Sequence, residues 1–252
     1  MPPGCYRIGA MREHPSLRFA SSAARPLALL LLVASACGGG GGNGQGGDGG
    51  SKEPTDFEYF GLTPGRCFGF RGGLAGAQEM TLGVEEENDA LGFVTRQIRY
   101  RLGGILQRVD YVTAEEGQLR LHRREYRGSV EVSFDPPAVL LERPVYPTGT
   151  TPLTTETTAT DVSTEESSTW TFRISVTEPQ DVTVEERPEP YHVFPIFAVV
   201  DRGDTMQSEQ DEFEFSEEGV WTRLDLDGDA FPEGKLVKIW DTEPGTSCGT
   251  IP

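Results

Sequence analysis

The stretch FVTRQIRYRLGGILQRVDYVT, residues 93–113, sets the expectation for the fold of this chain. Two runs in which apolar and polar residues alternate flank the pair Gly103-Gly104. In the second run, one face at a period of two holds Ile105, Gln107, Val109, Tyr111 and Thr113. Alternation at that period is typical of a β-strand, and Gly-Gly between two such runs is a turn signal. The stretch therefore predicts an antiparallel β-hairpin.

The same period recurs along the chain after residue 55. The clearest further example is TWTFRISV, residues 169–176, whose large apolar residues all share one face. The other predicted strands are 56–60, 66–70, 78–84, 118–126, 129–134, 181–185, 191–200, 212–215, 220–226 and 235–240. Helical periodicity is absent from every window of about 11 residues or more. The sequence therefore predicts an all-β domain, an antiparallel sandwich or a curled half-barrel sheet.

Residues 148–169 do not fit this pattern clearly. They are rich in threonine and carry few large apolar side chains. Such a segment is either a solvated loop or an exposed edge hairpin, because threonine favours strands. Both interpretations stay open at this point.

The charge of the chain excludes some partners. The 252 residues have a formal net charge of −18, and the first 36 contribute +3, so the remainder stands near −21. Binding to nucleic acid needs Lys and Arg that neutralise phosphates, and docking on anionic lipid needs a basic face. We therefore expect no nucleic acid partner, and a surface that is either soluble and self-repelling or able to hold cations.

The N-terminal region has the order of a secretory signal peptide. Arg18 and Arg25 form the basic part, and residues 27–33 form an apolar run far shorter than the ~20 residues of a spanning helix. Ala34-Ser35-Ala36 then supplies the small residues that a signal peptidase accepts. We therefore expect residues 1–36 to be removed on export.

Val33-Ala34-Ser35-Ala36-Cys37 resembles the bacterial lipobox. The resemblance implies that the Cys37 thiol carries diacylglycerol and that its amine is acylated after cleavage. Ala34 stands where Leu is commoner, and the ordinary signal peptidase also accepts Ala-Ser-Ala, so a soluble secreted product is the alternative. The glycine-rich residues 38–50 favour the anchor, because a lipidated cysteine needs a tether. The expected location is the bacterial cell envelope, with the outer membrane as first choice.

These features divide the chain into three parts. Residues 1–36 form the predicted signal peptide, 37–55 the lipidated cysteine with its glycine-rich linker, and 56–252 a single β domain. The true start is either Met1 or Met11, and the second choice would place Cys5 outside the protein.

Two cysteines remain in the β domain, Cys67 and Cys248. An even pair in an exported protein predicts a disulfide, with free buried thiols as the alternative. A bridge closing a loop of this length would contribute roughly 5 kcal/mol at most. A metal site is not expected, because only His122 and His192 accompany these cysteines and no metal-ligand spacing is present.

Three short segments of the domain resemble the TapB-like exported domains of unknown function that are common in myxobacteria. They are Tyr59-Phe60-Gly61-Leu62-Thr63-Pro64-Gly65, the stretch from Asp181-Val182-Thr183-Val184 to Asp201, and Glu217-Glu218-Gly219-Val220-Trp221. Cys67-Phe68-Gly69-Phe70 replaces the family's Trp-Thr-Tyr strand, and its Pro-Ala-Gly signature is missing. The resemblance implies a β-rich envelope domain and assigns no catalytic residue.

Asp225, Asp227 and Asp229 are the candidate metal ligands. Carboxylates at positions 1, 3 and 5 begin an EF-hand loop for Ca²⁺, but Ala230 and Leu236 stand where that loop has Gly and Glu. Asp-Gly between two apolar runs is also a hairpin turn signal. The alternatives are therefore a structural turn and a weak Ca²⁺ site, and no other cofactor is expected.

A second local cluster is basic. It comprises Arg120, His122, Arg123, Arg124 and Arg127. In an acidic protein these side chains either pair with neighbouring acidic strands or receive an anionic ligand.

No catalytic motif is present in the sequence, so we expect no enzyme. The expected function is a non-enzymatic binding or structural module of the envelope. The alternatives are a carrier that holds an apolar ligand in a half-open barrel and a metal-assisted hydrolase that uses one of the two domain histidines.

Overall fold

Thirteen β-strands and one helical turn make up the computed structural model, which describes residues 53–73, 76–88, 93–127, 130–185, 187–203, 208–226, 231–243 and 246–252. The elements in chain order are α1 Asp56–Tyr59, β1 Arg66–Gly72, β2 Gln78–Asn88, β3 Val94–Leu102, β4 Ile105–Glu115, β5 Gln118–Tyr126, β6 Val130–Glu142, β7 Leu153–Asp161, β8 Ser167–Val176, β9 Gln180–Val184, β10 Arg187–Arg202, β11 Ser208–Ser216, β12 Val220–Leu226 and β13 Phe231–Asp241. The all-β prediction is confirmed, apart from α1.

The strand predicted at residues 56–60 is wrong, because the chain forms α1 there. Thr55 caps this turn: its hydroxyl accepts a hydrogen bond from the Glu58 amide, and its own amide donates to the Glu58 carboxylate at 2.8 Å. This capping box favours a helix start. A single turn is too short to show helical periodicity in the sequence.

The strands close into an antiparallel barrel, which corrects the predicted sandwich or half-barrel. Most strands pair with their neighbours in sequence, and β1 pairs with β13 from Arg66↔Asp241 to Gly72↔Gly234. Twelve strands form the ring, and β9 is an extra strand that pairs with β10. An open sheet and a closed barrel have the same alternation along each strand, so the sequence pattern does not separate them.

The threonine-rich segment is a hairpin within the barrel wall. β7 pairs with β8 from Leu153↔Ile174 to Thr160↔Ser167, and its last residues also pair with β6. Thr157 is buried, and its hydroxyl donates to the Pro136 carbonyl at 2.6 Å. The hairpin alternative is therefore confirmed, but β7 pairs on both sides within the wall and is not an exposed edge. The β-branched side chain of threonine favours such a strand.

The barrel has two distinct ends, because successive strands run in opposite directions. We call the near end the one that holds α1 and the turns β4–β5, β6–β7 and β11–β12. The far end holds the turns β3–β4, β5–β6, β7–β8 and β10–β11. At the near end the Asp56 carboxylate accepts a hydrogen bond from the Gly117 amide, and Trp221 donates to the Phe60 carbonyl. Phe60 and Leu62 are fully buried, so this segment fills the near end of the core.

The predicted disulfide between Cys67 and Cys248 is present, with the two Cα atoms 5.8 Å apart. Cys67 lies in β1, and Cys248 lies in the tail after β13. Because β1 and β13 are already paired, the bond in the folded protein fastens this tail to the barrel wall. Gly83 of β2 makes room for it: a Cβ atom there would lie 2.6 Å from the Cys248 sulfur.

We expect Gly83→Val to prevent this disulfide, because real Cβ atoms do not approach a neighbouring atom so closely. When it is unfolded in urea without a reductant, the variant should react with two alkylating groups at Cys67 and Cys248, which are buried in the folded protein, as intact mass would show. Gly249→Val is the matched control, since a Cβ at Gly249 meets no atom within 4 Å. An intact disulfide in Gly83→Val would contradict the packing described here.

Candidate functional site

Charged side chains of β4 point into the barrel. The core contains Val112 and Ala114, and the same face of β4 carries Arg108 and Asp110. The face named from the sequence is the outer one. Its Tyr111 is also buried, because neighbouring long side chains such as Arg123 cover it. The alternation of apolar and polar residues therefore predicted the strand, but it did not predict which face of the strand points into the barrel.

Five buried side chains form what we call the cross-barrel network: Arg108, Asp110, Arg124, Glu209 and Asp211. Arg108 Nη1 lies 2.7 Å from Asp211 Oδ2, and Arg124 Nη1 lies 3.2 Å from Glu209 Oε2. Asp110 pairs with both arginines, at 3.0 Å and 2.7 Å. None of the five side chains is more than 6% exposed. Buried charges of this kind need partners, and here each has at least one.

The network joins opposite walls. β4 and β11 are six strands apart in either direction around the ring of twelve. An Arg108–Asp211 contact is therefore possible only if the barrel is flattened so that the two walls face each other like packed sheets, about 10 Å apart. The closed barrel thus keeps the layered interior of a sandwich.

The acidic and basic side chains of the network stay ionised in the folded protein. Burial alone would raise the pKa of Asp110, but the positive charges of Arg108 and Arg124 outweigh burial and hold that pKa below its ordinary value. Their carboxylate partners also raise the pKa values of both arginines above the ordinary value, although burial acts in the opposite direction. The ion pairs therefore persist at neutral pH.

The far end of the barrel has an open pocket of about 220 Å³, which we call the mouth pocket. It is lined by Tyr126, Val130, Val132, Ala159, Asp161, Glu166, Ser167, Ser168, Trp170 and Arg202. The Arg202 guanidinium lies 4.7 Å from the Trp170 ring centre and pairs with Glu209. The Tyr126 hydroxyl also donates to Glu209, at 2.8 Å. Two pocket residues, Tyr126 and Arg202, therefore contact the network through Glu209.

The mouth pocket combines apolar walls with polar groups at its rim. Hydrogen bonds from Ser163, by hydroxyl and amide, hold the pKa of Asp161 below its ordinary value. Trp170 donates its indole N–H to the Ser168 hydroxyl at 3.0 Å. Such a mixture suits a small polar ligand or a polar side chain of a partner. This pocket was not predicted from the sequence, because its residues come from five different strands and one turn.

The predicted basic cluster is divided between two sides of β5. Arg124 points into the barrel, whereas Arg120 pairs with Glu116 at 3.1 Å on the outside. Arg123 pairs with Glu131 at 2.8 Å. The prediction that these cations pair with nearby acidic residues is confirmed for these three arginines.

The candidate Ca²⁺ ligands are only partly covered by the structure. Asp225 lies in β12, where burial and the neighbouring Glu212 raise its pKa. Asp227 and Asp229 lie outside the described residues. The strands on both sides pair, as a hairpin requires. Among the described residues, no group of three potential ligands is placed to hold a metal. The Ca²⁺ site stays a prediction.

The two domain histidines lie apart, on β5 and β10. His122 hydrogen-bonds to the Thr113 hydroxyl at 2.9 Å, and its ring centre lies 4.8 Å from that of Phe93. Burial lowers the pKa of His122. His192 lies 3.0 Å from the Asp181 carboxylate, and both side chains are exposed. The structure therefore does not bring the two histidines into one site.

The candidate lipidation site, Cys37, lies outside the described residues, as do the predicted signal peptide and most of the linker. Within the described ranges, no helix has the length and hydropathy needed to cross a membrane.

Comparison with protein-family models finds no match, and comparison with curated proteins finds none. A crystal structure of a protein provisionally described as a lipoprotein, from Parabacteroides distasonis, matches with a TM-score of 0.39 and 11% identity. The match covers 75% of this chain and 100% of that chain. A similarity at this level carries no argument for the fold or function here. The resemblance to TapB-like domains stays a prediction.

We expect Arg108→Met to lower the free energy of unfolding by about 3–5 kcal/mol, because it leaves the buried Asp211 carboxylate without its cation. Arg173→Met is the matched control. It removes a half-exposed pair with Asp201 and should cost about 1 kcal/mol or less. Urea unfolding measures both values. Equal small losses in the two variants would contradict a cross-barrel role for Arg108.

The ion pairs of Asp110 should make the free energy of unfolding depend on pH in the acid range. Its folded pKa lies below its unfolded value of about 3.9, so its contribution to stability is present above that value and is lost as the pH falls through the folded pKa. Urea unfolding between about pH 3 and 7 should show a steeper acid loss in the wild type than in Asp110→Asn. His122 is present in both proteins, so its effect on the unfolding free energy is the same in the two pH profiles. Parallel profiles would disprove the assignment.

Proposed function

We propose that this chain is a lipid-anchored protein of the bacterial cell envelope whose β-barrel is a non-enzymatic binding or structural module. The observation that carries the anchor is Cys37, which follows Ala34-Ser35-Ala36 and precedes the glycine-rich residues 38–50. Two or more acyl chains on this cysteine would give stable attachment. The outer membrane is the proposed site, and soluble secretion is the alternative.

The geometry of the barrel supports this proposal. The described chain begins at Glu53, whose carboxylate accepts a hydrogen bond from Arg143 at 2.9 Å, beside α1 at the near end. The mouth pocket opens at the far end. Glu53 lies sixteen residues after Cys37 in the sequence. The mouth pocket, at the end of the barrel away from Glu53, is the surface that we propose for a partner in the envelope.

The filled interior favours a module over a carrier of an apolar ligand. A carrier needs an interior pocket of roughly 300–1,000 Å³. Between the two walls, beside the cross-barrel network, the side chains leave a cavity of about 40 Å³. The mouth pocket is larger, but polar groups such as Glu166 and Ser167 line its rim. Polar partners suit it better than a lipid tail does.

The pairing of the interior charges supports a role without catalysis. Arg108, Arg124 and the three acidic residues of the network are engaged with one another. Their ion pairs serve to hold the walls together. The outward-facing His122 and His192 are separated on different strands.

The anchor is tested by the intact mass of the protein extracted from its native membrane. We expect a chain that begins at Cys37 and carries acyl mass, and we expect Cys37→Ala to lack that mass and leave the membrane fraction. Cys5→Ala is the matched control, because Cys5 lies in the segment that export removes and should not change the mature mass. An unmodified chain in the soluble fraction would contradict the anchor and would indicate ordinary secretion.

A further inference from the structure

We propose that the cavity beside the cross-barrel network is a binding site for ordered water, fixed by one carboxylate oxygen of Asp211. The Asp211 side chain is only 3% exposed, and its Oδ2 atom pairs with Arg108 at 2.7 Å. Its Oδ1 atom is buried and has no hydrogen-bond partner among the described residues. A buried carboxylate oxygen without a donor costs free energy, and such groups are ordinarily satisfied by protein or by internal water.

The cavity has the right size. Asp211 lines a space of about 40 Å³ that lies within the core. One water needs roughly 10–15 Å³ on this measure, so two or three waters fit. The Tyr100 side chain also lines the cavity, and its hydroxyl can act as a second polar partner. Water is retained in a buried site when it finds two to four such partners.

The charges around the cavity select a neutral molecule. Its wall includes two guanidinium groups, Arg108 and Arg124, and two carboxylates, Asp110 and Asp211. A cation would approach the arginines, and an anion would approach the aspartates. A water molecule can donate a hydrogen to Asp211 Oδ1 without adding charge. The remaining wall is apolar, so the water should sit at the Asp211 end.

The site would complete the link between the walls. Arg108 reaches Asp211 from the opposite side of the barrel, and water on the other oxygen would hold the carboxylate in the orientation that this contact needs. A buried polar network is rigid when every member of it has its hydrogen-bond partners.

The first test is a crystal structure of the full chain at a resolution that shows ordered water, about 1.8 Å or better. We expect a density peak within hydrogen-bond distance, about 2.6–3.2 Å, of Asp211 Oδ1. A second crystal under xenon pressure should show no xenon there, because xenon enters dry apolar cavities. Xenon in the cavity, or no water peak on Asp211, would overturn the proposal.

A variant gives an independent readout. Ala198 lies opposite Asp211 in the β10–β11 register and lines the same cavity, so Ala198→Val would occupy the space of the water. We expect the water peak to disappear and the Tm to fall by about 2–4 °C, since the Asp211 oxygen loses its donor. Filling a dry cavity would instead raise the Tm. A higher Tm in Ala198→Val therefore contradicts the proposal.

Discussion

The pairing of Arg108 with Asp211 across the barrel is the contact on which the interior of this protein depends. A ring of twelve strands has walls far enough apart to leave a lumen. Here the strands β4 and β11, on opposite sides of the ring, are joined by buried charges. Desolvating those charges is costly, and the cost is offset only when all partners are in place. The flattened shape and the filled core follow from that requirement.

The ends of the barrel are closed in different ways, and this gives the molecule a direction. At the near end, Phe60 and Leu62 enter the core behind the capped turn α1. At the far end, the network continues through Glu209 to Arg202 and to an open pocket. The pairing of β1 with β13 closes the wall, and the Cys67–Cys248 bond holds the tail against it.

Much of this architecture was predictable from alternation alone, and the failures have physical causes. β5 and β12 have the predicted bounds, because their sequences alternate between clear turn signals. The turn α1 was missed although its capping box, Thr55 and Glu58, is visible in the sequence. Ring closure and the cross-barrel network were beyond prediction, since both depend on residues far apart in sequence, such as Arg108 and Asp211. The disulfide was predictable because only two cysteines remain in the domain.

The most direct test of the flattened barrel is a double-mutant cycle on Arg108 and Asp211. The free energy of unfolding would be measured for the wild type, Arg108→Met, Asp211→Leu and the double variant. If the two side chains meet across the barrel, the double variant should be far more stable than the sum of the single losses implies, with a coupling of about 2 kcal/mol or more. A coupling below about 0.5 kcal/mol, as for residues without contact, would contradict the account.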